Sequence, residues 1–339
     1  MHMADALLSP AVGGAMWLAS GAALAYSARR VRAQGDDRLV PLMGVLGAFV
    51  FAAQMINFAI PATGSSGHLG GGLLLAILLG PHAALIVIAS VLAVQALFFA
   101  DGGLLALGAN IFNLGVLPCL VVYPLVYRVL AGAGAPARRI GRAAVVAAVV
   151  GLQLGALGVV VQTVASGISS LPFGTFLLLM LPIHLAIGLA EGIATAALVL
   201  FVRRARPDLV DDIVPDRVPG GSLRPLLVSL AIAALLAGGA LSWFASPRPD
   251  GLEWSIEHAA TAELAVPDSG VHGRLAHLQQ RLSLLPDYAL PGPAHAAQAD
   301  RGPAWPDVNP ETSLAGIVGG LLTLALVWVL AALVRRGRR

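Results

Sequence analysis

Long apolar runs separated by short polar breaks dominate the chain. The first covers residues 10–26 and closes on Arg29, Arg30, Arg32 and Arg38; the second covers 39–60. Three more fill 69–127, namely 69–79, 83–100 and 104–127, broken at Gly80-Pro81 and at Asp101-Gly102-Gly103. Runs at 143–165 and 173–202 follow, and beyond a polar stretch come 225–244 and 313–334. A spanning helix rises 1.5 Å per residue and takes about twenty residues. The run 69–79 is too short to cross alone, and interrupted segments of this kind occur where backbone lines a cavity or is buried in protein. Alternating segments of about ten residues, the mark of a membrane barrel, are absent, so the pattern predicts helices.

The arginines turn these runs into a topology. Each cluster that flanks a run (Arg29 to Arg38; Arg128, Arg138, Arg139 and Arg142; Arg203, Arg204 and Arg206; the tail Arg335 to Arg339) is expected on the cytoplasmic side. Met1 and His2 then lie outside and the carboxyl end inside. The predicted architecture is an all-α integral membrane protein: a seven-span bundle over 1–206, a cytoplasmic linker over 207–223 with Asp208, Asp211, Asp212, Asp216 and Pro219-Gly220-Gly221, and a two-span module over 224–339 with a long outer loop at 245–311.

Composition agrees. The 339 residues are 58% hydrophobic and 12% charged, against about 25% charged in a soluble domain. All 21 basic residues are arginine, so there is no lysine nucleophile, and a net charge of +3 placed beside spans calls for a lipid bilayer and no nucleic acid. Cys119 stands alone, which excludes an internal disulfide. No basic stretch followed by a short apolar run and a cleavage site opens the sequence, so Met1 is expected to stay.

Chemistry concentrates at the outer face. A free terminal amine on Met1, the His2 amide nitrogen and the His2 imidazole can close fused chelate rings in one plane, which favours Ni(II) or Cu(II), with Co(II) close behind. His68, in Ser65-Ser66-Gly67-His68-Leu69-Gly70-Gly71-Gly72, emerges on the same side and offers a further ligand; Asp101 joins them there. Polar residues inside spans are functional candidates: Gln54 and Asn57, then Asn110 and Asn113, repeat a three-residue spacing suited to orienting an imidazole or joining helices. His184 and Glu191, two turns apart on one face, read as a buried pair, and His82 as a capping or interfacial residue. His258, His272, His277 and His295 are spread through the outer loop as possible further metal donors. HExxH, a phosphate-binding GxxxxGK[ST] and a nucleophile elbow are all missing, so any ATPase would be another chain.

The opening Met1-His2-Met3-Ala4-Asp5-Ala6-Leu7-Leu8-Ser9-Pro10, the stretch from Pro41 through Gln54 and Asn57 to Phe58, Ser66-Gly67-His68-Leu69, and Asp101-Gly102-Gly103 with Leu107-Gly108-Ala109-Asn110 resemble the CbiM/NikM substrate-capture subunits of energy-coupling-factor cobalt and nickel transporters. Ala6 stands where that family usually has glycine. Pro249-Asp250-Gly251-Leu252-Glu253-Trp254, with Leu285-Pro286-Asp287-Tyr288, resembles the PDGLE accessory module, fused here to the carboxyl end. The resemblance implies Ni(II) or Co(II) as the transported substrate and no ATP site on this chain. It also implies metal ligands at Met1, His2 and His68, with a polar layer of Gln54, Asn57, Asp101 and Asn110. The implied partners are a transmembrane coupling subunit and cytoplasmic ATPase subunits in a bacterial or archaeal cell membrane. Two other readings stay open at this point: capture of an organic vitamin, which would not need His68, and a membrane metallohydrolase with Asp101 as its base.

Overall fold

The computed structural model describes residues 2–36, 39–132, 134–210, 222–260, 270–290 and 305–336. Met1, most of the 207–223 linker and His295 lie outside the described residues. Helix α1 (Pro10–Gln34) begins where the Ser9 hydroxyl accepts a hydrogen bond from the Val12 N–H and Pro10 takes the first helical position; Gly35, at φ 67°, ends it. Helix α2 (Leu39–Gln54) stops before the apolar run does. Pro61 lies ahead and disfavours helix in the residue before it. The chain instead forms a two-stranded hairpin, β1 (Phe58–Ala59) against β2 (Ser66–Gly67), which pairs backbone groups that a frayed helix end would leave open.

The short run at 69–79 becomes a half-helix, α3 (Gly72–Leu79), with every residue buried, followed after Gly80 by α4 (Pro81–Phe98). A side chain at Gly72 would collide with the Leu114 carbonyl oxygen and with Pro118, so only glycine lets α3 begin this close to the next helix. That helix, α5 (Leu107–Ala131), is π-helical from Phe112 to Tyr127 and holds Pro118 and Pro124. Proline removes an N–H and crowds the preceding turn, and the wider π winding accommodates both rings. A long antiparallel pair, α6 (Ala137–Ser166) and α7 (Phe173–Ala205), flanks this centre.

The second unit contributes α8 (Arg224–Gly239) and α11 (Pro310–Arg336), which lean together on α2. Between them the outer stretch is not the loop expected from sequence: it folds α9 (Gly251–Ala259) and α10 (Gly270–Leu282). Helix α9 owes its start to a capping box, with the Asp250 carboxylate accepting from Leu252 and Glu253 N–H while Glu253 accepts from the Asp250 N–H. Among the described residues five helices are long and apolar enough to cross a membrane, α4, α5, α6, α7 and α11, while α2 and α8 are apolar but shorter.

Candidate metal centre

The amino-terminal segment packs at the end of the bundle where α5 begins and is fixed there by its backbone. Asn110, at the start of α5, accepts from the Met3 N–H (2.8 Å) and donates back to the Met3 carbonyl (3.2 Å), and the Gly103 N–H donates to the same carbonyl (3.0 Å). Asp5, buried, accepts from the Ala106 N–H at 2.9 Å; its removal from water pushes its carboxyl above the usual range. Met3 is fully buried, with its sulfur near the Asn113 amide, and Asn113 in turn exchanges two hydrogen bonds with Gln162. Asn110 and Asn113 thus tie the terminus and the helices together and touch no imidazole.

His2 is thereby set against His68. Their rings stack, centroids 5.1 Å apart and 12° from parallel. His2 Nδ1 lies 3.0 Å from an Asp101 oxygen, and its buried Nε2 has no hydrogen-bond partner. The other Asp101 oxygen accepts from the Tyr288 hydroxyl. Burial alone would raise Asp101, but the charge and hydrogen bond of His2 and the Tyr288 hydroxyl hold it below the usual carboxylate range. Both oxygens being committed, Asp101 acts as a holder of His2.

His68 rides on a loop gripped from below. Glu191, from the middle of α7, accepts from the Gly70 and Gly71 N–H groups at 2.9 and 3.0 Å, and Gln54 donates to the Gly70 carbonyl at 2.9 Å while accepting from Gln95 at 2.8 Å. Gln54 therefore orients the loop and not the ring. Asn57 lines the same outer cavity, and its carbonyl accepts from the Ser246 N–H. Burial, with the positive charges of the terminal amine and of His2, depresses His68 to about 3, so its imidazole is neutral; its Nδ1 contacts the Leu69 carbonyl at 3.1 Å. Its Nε2 lies 4.0 Å from Asp250.

Asp250 and Tyr288, both from the second unit, join the candidate site, and the sequence reading did not single them out for it. The hairpin receives them: Ser66 N–H donates to the Pro249 carbonyl at 2.8 Å and the Ser66 hydroxyl to the Arg248 carbonyl at 2.8 Å. Gly251 then presses on α7, where any side chain would run into Ile183, so the tight Asp-Gly step of the PDGLE motif is what brings a carboxylate to His68. Burial would raise Asp250, yet nearby positive charge, that of the terminal amine foremost, and the Glu253 N–H hold it below the usual carboxylate range.

Two expected groupings do not form. Glu191 serves the glycines of the loop, while His184 bonds the Met180 carbonyl one turn back (2.7 Å), so periodicity put them on one face without making them partners. Among the described residues the loop histidines do not gather either: His272 contacts the Leu8 carbonyl (2.9 Å), and His258 stacks on Trp254. Among the described residues no three histidine, cysteine or carboxylate side chains form a metal-holding group. The structure brings the two imidazoles of His2 and His68 together here, and Met1 lies outside the described residues. His82, expected to cap or to sit at the interface, contacts the Ser27 hydroxyl of α1 at 3.2 Å.

Comparison with known proteins gives consistent matches. The family described as cobalt uptake substrate-specific transmembrane region (CbiM) matches residues 2–209, and the PDGLE domain matches 224–336. A relative in Archaeoglobus fulgidus, provisionally named a fused nickel transport protein NikMN, is 36% identical over 99% of both chains. The fused nickel transport protein NikMN of Rhodobacter capsulatus is 33% identical, covering 89% of this chain and 91% of its own; the cobalt transport protein CbiM of Geobacter sulfurreducens is 34% identical over 70% of each. A crystal structure of a truncated transition metal transporter superposes with TM-score 0.53 at 29% identity, covering 60% of this chain and 99% of that one.

Proposed function

The chain belongs to the CbiM family of cobalt-uptake transmembrane proteins, joined on one polypeptide to a PDGLE module, and from that premise we propose that it captures Ni(II) or Co(II) outside the membrane as the substrate-binding subunit of an energy-coupling-factor transporter. The observation that carries this reading is the stack of His2 on the neutral His68. The amine of Met1 and the His2 amide nitrogen would supply the remaining donors, giving four nitrogens in a tetragonal set suited to these ions. Nδ1 is the ring nitrogen placed to close a chelate with the amide of its own residue. Binding then exchanges the bond from His2 Nδ1 to Asp101 for the ion, and Asp101 keeps its bond to Tyr288. A transmembrane coupling subunit and cytoplasmic ATPase subunits drive release inward. Seven spans followed by two, amino terminus outside, give the orientation this requires.

Calorimetric titration of the purified full chain with Ni(II), Co(II) and Zn(II) tests the reading. The native terminus is expected to bind tightly, whereas one glycine ahead of Met1, or His68→Ala, should weaken binding by about a hundredfold or more, the cost of losing one ligand of four. Equal affinity in all three proteins would overturn the ligand set.

A further inference from the structure

Above the stacked imidazoles opens a cavity of about 1080 Å³ whose wall combines both units of the chain. Six carboxylates line it: Asp5 and Asp101 from the first unit, and Asp250, Glu253, Asp287 and Asp307 from the second. No arginine is among its described lining residues, in a chain with 21 of them. The carboxylates alone would say little, since acidic rims are common. A second observation ties the cavity to the capture site beneath it: His2 and His68 both form part of this wall, and the His2 side chain, 7% exposed, keeps a buried Nε2 without a hydrogen-bond partner. A one-signed opening bounded by low-dielectric walls focuses field lines and raises the local concentration of ions of opposite sign. Hydrated divalent cations feel this doubly.

We propose that the second unit builds an acidic vestibule in which Glu253, Asp287 and Asp307 collect the hydrated divalent cation in outer-sphere contact and deliver it to the nitrogen ligands beneath. The proposal rests on the metal-capture reading above and assigns these three carboxylates to the rate of entry. All three are exposed, while Asp250 sits beside His68 and Asp101 beside His2. Because the ion sheds water and takes nitrogen donors only after leaving the vestibule, the three should govern association and leave dissociation unchanged.

Stopped-flow kinetics of Ni(II) with the full chain, across a range of sodium chloride concentrations, separates the two. The triple variant Glu253→Gln, Asp287→Asn, Asp307→Asn keeps side-chain shape, and Gln retains an oxygen to accept from the Asp250 N–H. At low salt its association rate is expected to fall about tenfold, within the range for electrostatic steering. The difference should vanish at high salt, where the Debye length shrinks to about 3 Å, and the dissociation rate should not move. An unchanged association rate, or a fall that persists at high salt, would overturn the vestibule while leaving metal capture standing. Failure of the native protein to bind Ni(II) at all would instead remove the reading beneath it. Circular dichroism and thermal melting of the variant guard against a folding defect, and if it is unfolded the single Glu253→Gln carries the same comparison at about a twofold effect.

Discussion

His68 is kept neutral by burial, with a proton affinity lowered from the ordinary imidazole value of 6.5 to about 3. In the unfolded chain it takes up a proton as pH falls through 6.5, while the folded chain resists, so folding stability from this group is complete above pH 6.5 and declines as pH drops toward 3. The slope approaches 1.4 kcal/mol per pH unit for a single fully shifted group. Thermal unfolding of chelator-treated protein from pH 7 to 4.5 should therefore show a falling melting temperature that His68→Gln makes shallower. Parallel curves would mean that the pocket does not desolvate the ring. This window avoids Asp101 and Asp250, whose lowered values place their loss at lower pH. At this scale the sequence was legible where chemistry is local: residue type singled out His2 and His68, and the structure stacks their rings. Asp250 and Tyr288 were not singled out, because their roles depend on contacts more than 180 positions apart. The Asp-x-x-Glu spacing of a capping box was nevertheless open to inspection.

Among the elements, the loop between β2 and α3 decides where His68 sits, and Glu191 decides where the loop sits. Two N–H groups at the start of a half-helix converge on one carboxylate buried in α7. Glu191→Gln preserves size but offers one acceptor oxygen where two were used, and its amide group meets an N–H. Metal affinity is expected to drop 10- to 100-fold, the usual cost of losing a partner that orients a ligand, with every coordinating atom intact; wild-type affinity by calorimetry would show that the loop is fixed by Gln54 alone. Hydropathy located the helices well, including the half-helix and its break at Gly80. It failed at the end of α2, where backbone pairing in a hairpin outweighs continued apolar sequence, and at α9 and α10, whose few apolar residues carry no span-length signal. Helical spacing placed His184 and Glu191 on one face correctly, but periodicity does not say which neighbour that face meets.

For the whole molecule, orientation is the claim most open to direct test. With Cys119 replaced, a cysteine at exposed Pro61 should react with a membrane-impermeant maleimide added to intact cells, while one at exposed Ala33 should react only after permeabilisation. Ser66 would be a poor reporter, being fully buried beneath the second unit. Labelling of Pro61→Cys from the cytoplasmic side alone would invert the site and end the uptake reading. A division into two units is what the polar linker suggests; their union over one cavity was not legible, because hydropathy describes each helix against lipid and is silent about which connecting segments meet. That union has a consequence in concentration. The Ser66 contacts with Arg248 and Pro249, and the Tyr288 contact with Asp101, close the wall of the metal cavity between parts that could also exist as separate polypeptides. Tethered on one chain, the two halves face each other at an effective concentration on the order of millimolar, so even a weak docking surface stays assembled in a membrane that holds only a few copies. Covalent continuity thus frees the interface from any need to be tight.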